Sequence, residues 1–245
     1  MSDYHPGGEQ PVEALPPVEP SVGLGVVHLF GKLGPAVDPT AVQEAVERIR
    51  AGGGQVVAVA VLGHKADLGI MALHPDLWQL RDLQTRLGRA GVEIVDSYVS
   101  LTELSEYAAG LPEEAQQARL HPQLPPQGKP AWCFYPMSKR RNPGQNWYEL
   151  PFDRRRELMY EHGATGRKFS GRVLQLITGS TGIDDYEWGV TLFCCHPDDL
   201  KEVVYKMRYD EASAQYAEFG SFYAGMVAPI DIILRRLSSD RVEIK

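Results

Sequence analysis

The chain has 245 residues, 43% of them hydrophobic and 23% charged, which is enough apolar content to bury a core and too much for a wholly disordered chain. A net charge of −7 speaks against a general nucleic-acid binder, and no apolar run nears the roughly 18–20 residues that span a bilayer. Cys133, Cys194 and Cys195 form neither a disulfide framework nor a zinc-ligand spacing, and no secretory signal is visible, so a cytoplasmic protein is expected.

In chain order, residues 1–20 carry Pro6, Pro11, Pro16, Pro17 and Pro20 with little apolar periodicity, and they are expected to be a disordered tail. A strand is predicted over 22–30, then a helix over 39–50 capped by Asp38 and stopped at Gly52 to Gly54. Strands over 55–62 and 68–73, a helix over 75–87 entered through Pro75, and a strand over 92–101 complete a β-α-β-β-α-β unit. Residues 111–130 read as a Pro-rich linker. The order then recurs: strand 131–139, helix 152–162, strands 172–178 and 187–195, helix 198–207 after Pro197, and strand 222–227. This divides the chain into an N-terminal half (21–110), a linker (111–130) and a C-terminal half (131–245). Two such antiparallel sheets would bury one face against each other in a barrel-like α+β body. The segment 178–185, rich in Gly and Asp, reads as a hairpin loop; no Gly-Lys-Ser/Thr start makes it a phosphate loop.

Charge is uneven. Between Ala131 and Arg172 lie nine basic residues and four acidic ones, which suits either an acidic small molecule or a solvated surface. On the strand over 131–139, a period of two puts Cys133, Tyr135, Met137 and Lys139 on one face and Trp132, Phe134 and Ser138 on the other. That face is either a functional patch or an edge strand with a snorkelling lysine, and Pro136 agrees with an edge or bulge. His162 ends the predicted helix before Gly163, on the face of Leu158 and Met159. It fits an axial ligand of haem iron or a plain C-cap histidine. Gln175 shares a face with Val173 and Ile177, an amide that could meet a ligand or pair in the core. His121, in the linker, is either merely exposed or a proton acceptor. His5, His28, His64, His74 and His196 show no ligand spacing.

The motifs Tyr135-Pro-Met-Ser-Lys-Arg-Arg141, Asn146-Trp-Tyr148, His162-Gly-Ala-Thr-Gly-Arg167, the run 178–190 and Met207-Arg-Tyr-Asp-Glu-Ala-Ser213 resemble the coproheme decarboxylases of the chlorite dismutase superfamily, and the Arg-Leu-His-Pro segment at 119–122 resembles their actinobacterial branch. The resemblance spans about 22–228. It implies duplicated ferredoxin-like units forming a dimeric α+β barrel, usually a homopentamer. It further implies that iron coproporphyrin III (coproheme) is both substrate and redox cofactor. Hydrogen peroxide would drive decarboxylation of propionates 2 and 4 to vinyls, giving haem b through a three-propionate intermediate. Transient contact with the coproporphyrin ferrochelatase is also implied, with no nucleic acid and no membrane span.

By resemblance, His162 matches the iron ligand, Tyr135 the radical-forming tyrosine, and Lys139 and Met137 residues beside the reacting propionate. Arg167, Arg208 and Ser213 match propionate-binding positions, where guanidinium suits carboxylate. His121 matches a distal histidine that would take a proton from peroxide. Gln175 stands where chlorite dismutases carry a distal arginine, a departure that argues against chlorite turnover. The competing readings are a chlorite dismutase-like or dye-type haem peroxidase, and a non-catalytic haem carrier or sensor.

Overall fold

The computed structural model describes residues 15–108 and 110–239. Most of the expected tail, residues 1–14, lies outside them. Residues 15–20 form no helix or strand, yet Val18 is tied down: its N–H donates to Asp76 Oδ1 (3.1 Å) and its carbonyl accepts from Leu77 N–H (2.9 Å).

The N-terminal half runs β1 (Gly25–Leu33), α1 (Pro39–Ala51), β2 (Gln55–Val61), β3 (Leu68–His74), α2 (Leu77–Arg89) and β4 (Val92–Thr102). Its caps are built by side chains. Asp38 accepts from the N–H groups of Thr40 and Ala41 to start α1. Asp76 rather than Pro75 opens α2, accepting from Trp78 N–H at 3.0 Å, so this helix begins two residues later than its proline suggests. The segment expected as a linker holds a helix of its own, α3 (Glu113–Leu120). Its acidic first turn favours the helix N-terminus, and its end is anchored where Thr102 Oγ1 donates to the Leu120 carbonyl at 2.8 Å.

The C-terminal half comprises β5 (Ala131–Lys139), the hairpin β6 (Arg141–Asn142) and β7 (Gln145–Asn146), α4 (Phe152–Arg167), β8 (Val173–Gly179), β9 (Trp188–Cys194), α5 (Pro197–Met207), α6 (Glu211–Ala214), β10 (Ala217–Phe219), β11 (Tyr223–Val227) and α7 (Ile230–Ser239). Strand order is β4-β1-β3-β2 in the first half and β8-β9-β5-β11 in the second, with every neighbouring pair antiparallel. Pairs β2–β11 and β4–β8 join the halves, so eight strands close into one ring. The two sheets therefore share one hydrogen-bonded body, and closure removes their edges.

Alternation along the strands divides the core. Val26, Phe30, Met71, Trp132, Phe134 and Phe193 fill the ring. On the outside of the first half, Val27, Leu29 and Ile70 lie beneath Val42 and Ile49 of α1 and Leu83 and Leu87 of α2. Each such side chain contributes about 1.5–3 kcal/mol by burial. Ile233 and Leu234 of α7 complete that cluster, so the last helix of the chain covers the first half. Among the described residues no helix is long and apolar enough to cross a membrane.

One predicted boundary fails in an informative way. Helix α4 does not stop at His162: it runs through Gly163 and Gly166 to Arg167, and the Lys168 N–H closes it on the Thr165 carbonyl at 3.1 Å. Two interior glycines cost about 1 kcal/mol each. Contacts made beyond Gly163 offset this cost: Thr165 Oγ1 donates to Asp210 Oδ1 (2.9 Å), and Gly166 packs beside Met207.

Candidate functional site

The register of the second sheet lays out a face that the ring does not bury. Met137 lies opposite Trp188, which lies opposite Gly179; Tyr135 opposes Val190, which opposes Ile177; Cys133 opposes Leu192, which opposes Gln175. Directly paired residues share a face, so these nine positions form one surface on the outside of the ring. Met137, Val203, Val204 and Met207 pack with Cys133, Val190 and Leu192, while Gln175 and Ile177 remain exposed. Helix α4 packs on α5 and α6.

Tyr135 is buried in an aromatic box, its ring stacked on Phe222 (centroids 4.4 Å, interplanar 22°) with the Phe219 edge at 5.6 Å. Burial drives its phenol pKa far above the ordinary value and the charge of Arg208 opposes this only in part, so the ring stays a neutral phenol. Arg208 and Ser213 line a cavity of about 840 Å³ that also touches Phe219, Phe222 and Arg140. The Arg208 guanidinium sits 4.7 Å from the Phe219 ring centre, linking that cavity to the tyrosine box. Arg167 stays exposed on α4 with its guanidinium 5.6 Å from the Tyr160 ring centre, and it does not line this cavity.

His162 points from α4 toward the chain that follows α5. Its Nδ1 lies 3.2 Å from Asp210 Oδ2, near contact but off the line of an aligned hydrogen bond; both atoms are buried with no other partner. Burial lowers the imidazole pKa and the charge of Lys139 lowers it further, while Asp210 raises it. The ring is therefore neutral near pH 7. With Nδ1 set against a carboxylate, Nε2 is left with a lone pair for a metal. Among the described residues no three His, Cys, Asp or Glu side chains gather into a metal-binding set. His162 could hold, through Nε2, an iron whose other donors come with it, as in a porphyrin.

Lys139 does not snorkel into solvent: its buried Nζ donates to the Ala212 carbonyl (2.9 Å) and sits 4.2 Å over the Trp147 ring. Burial pushes its pKa down to about 8, with Glu187 opposing. His121 is exposed just past α3, its N–H donating to the Gln117 carbonyl (2.8 Å), and among the described residues no hydrogen bond joins its ring to the other candidates. Arg154, Arg155 and Arg156 are occupied by Glu157 and Glu211, by Tyr107 and the Leu150 carbonyl, and by Asp153 respectively.

Four participants escaped the sequence reading. Asp210 was within a quoted motif but had no assigned role. Trp188 likewise lies in the run 178–190 and opens β9, while Phe219 ends β10 and Phe222 lies in the loop before β11. The first half also reaches the site: after β4, Glu103 Oε1 accepts from Trp188 Nε1 (3.1 Å), and the Tyr107 ring stacks on Phe152 of α4 at 5.8 Å.

Comparison with known proteins gives a consistent result. The chlorite dismutase family model matches residues 39–228. The chain is 46% identical over 181 residues to the coproheme decarboxylase of Staphylococcus carnosus, covering 69% of this chain and 71% of that protein. It is 44% identical over 183 residues to the coproheme decarboxylase of Staphylococcus saprophyticus, covering 70% and 72%. The solved structure of a haem-binding protein from Thermus thermophilus superposes with a TM-score of 0.78 at 36% identity, over 89% of this chain and 96% of that one.

Proposed function

The chain belongs to the chlorite dismutase family, and on that premise we propose that it is a coproheme decarboxylase. It converts propionates 2 and 4 of iron coproporphyrin III to vinyl groups with hydrogen peroxide, giving haem b through a three-propionate intermediate. For each side chain, –CH2CH2COOH and one peroxide become –CH=CH2, carbon dioxide and two waters, with two electrons passing from substrate to peroxide. The bound iron porphyrin is the substrate and supplies the redox chemistry.

Tyr135 carries this reading. A buried neutral phenol, boxed by Phe219 and Phe222 beside Arg208, can give up an electron and its proton together. The tyrosyl radical then takes a hydrogen atom from the propionate β-carbon, which restores the phenol. Loss of carbon dioxide and one further electron leaves the vinyl. His162 holds the iron through Nε2 and is oriented by Asp210. Arg208 and Ser213 receive carboxylates in the cavity they line, and Arg167 does so from the α4 side. Met137 packs beside the reacting group, and Lys139 reaches it by exchanging its bond to the Ala212 carbonyl. Gln175 would face the opposite side of the porphyrin from His162, and His121 is the candidate base for peroxide. Gln175 puts no fixed cation there to hold chlorite. The same reading brings a cytoplasmic homopentamer supplied by the coproporphyrin ferrochelatase.

The test is Tyr135→Phe. It should bind iron coproporphyrin III as the parent does, yet form neither vinyl product nor carbon dioxide on peroxide addition. Product formation at the parental rate would overturn the assignment. A carrier would be indifferent to the change.

A further inference from the structure

Resting on the reading above, we propose that Glu103 is a specificity-determining residue: its carboxylate keeps porphyrin carboxylates away from the Trp188–Gly179 edge of the site face, reserving that edge for an uncharged substituent.

Three observations support it. First, Glu103 lies on the site face. Gly179 opposes Trp188, which opposes Met137, and a side-chain carbon added at Gly179 would collide with the Glu103 carboxylate. The glycine therefore leaves the space that this carboxylate fills. Its distance from Met137 is two strand spacings, about 10 Å, which a macrocycle lying on the face would cover. Second, the carboxylate is held in place, accepting from Trp188 Nε1 at 3.1 Å, yet it stays exposed to a ligand. Partial burial raises its pKa, and the indole bond works against that rise. Third, charge is divided across the face. Arg208 lines the cavity at the β10 side, where Arg140 is shared with Glu218 at 3.8 Å, whereas Asp184 and Asp185 follow Gly179 in the loop at the Glu103 side. A porphyrin with carboxylates around its rim meets attraction at one edge and a fixed like charge at the other. Like-charge juxtaposition costs several kcal/mol in a water-poor contact, and a vinyl pays none of it. Converting a propionate to a vinyl thus removes a penalty at this edge, so the finished product is favoured there.

The alternative is that Glu103 only positions Trp188. Equilibrium titration separates the two, using iron coproporphyrin III with four carboxylates and haem b with two. Glu103→Gln keeps an acceptor for the indole and removes the charge; Trp188→Phe keeps the charge and removes the bond. We expect E103Q to tighten coproheme binding about tenfold while haem b stays within about twofold, and W188F to leave the preference between the two porphyrins near the parental value. An unchanged preference in E103Q, or a shift found in W188F instead, overturns the proposal and leaves the proposed function standing. A parent protein that binds neither porphyrin overturns both.

Discussion

Lys139 offers a sharp physical check, because its buried ammonium should leave a signature in the pH dependence of stability. Its pKa falls from the ordinary 10.5 to about 8 in the folded protein. Below pH 8 the amine is charged in both the folded and unfolded chain, and folding bears the full cost of burying it. Between pH 8 and 10.5 the folded chain sheds the proton while the unfolded chain keeps it, so stability rises with pH. Above 10.5 the amine is neutral in both and the gain is complete. That depression corresponds to about 3 kcal/mol. Lys139→Met keeps a straight apolar stem over Trp147 and cannot titrate. Guanidinium unfolding of both proteins at pH 7.5, 9 and 10.5 cancels the tyrosines, which ionise alike in each. Relative to the variant, the parent should gain about 3 kcal/mol across that range. A difference flat with pH would mean that the lysine head is solvated, and the packing against Ala212 and Trp147 would be refuted.

Two further predictions concern α4 and what it holds. Gly163 lies inside the helix, and a side-chain carbon there would meet only the far end of the Arg167 side chain, at 3.4 Å. Gly163→Ala should therefore stabilise the ligand-free protein by roughly 0.5–1 kcal/mol in urea unfolding; a loss of that size would mean the helix ends where its glycine first suggests. Asp210→Ala removes the carboxylate facing His162 and accepting from Thr165. Iron porphyrin affinity should weaken about 10–100-fold and the iron reduction potential should rise, measured by equilibrium titration and spectroelectrochemistry. An unaltered potential would show that Asp210 does not act on the imidazole.

Much of the fold is local and was therefore legible. Asp38 caps α1 as its spacing predicts, and the period of two on β5 correctly separates Tyr135 and Met137 from Trp132 and Phe134. Features set by distant partners were not. Helix α4 passes Gly163 because Asp210 and Met207 lie beyond it, 45 residues after Thr165 and 41 after Gly166. Helix α7 became visible only with the N-terminal core it covers. Lys139 kept its strand face at the backbone, but its four-carbon stem turned to Ala212, a choice that no periodicity encodes. Glu103 belongs to the other half of the chain and reaches the site only because β4 pairs with β8. The candidate residues on β5 and α4 thus come from motif and pattern, whereas Glu103, brought in by closure of the ring, comes only from the coordinates.

If this chain turns two propionates into vinyls, the change is written in the mass of the porphyrin it holds. Loaded with iron coproporphyrin III and titrated with hydrogen peroxide, the protein should yield a porphyrin that has lost two carboxyl groups as carbon dioxide and one hydrogen from each β-carbon, after a species that has lost one. A bound porphyrin of unchanged mass, or one degraded without passing through the three-propionate species, would contradict it.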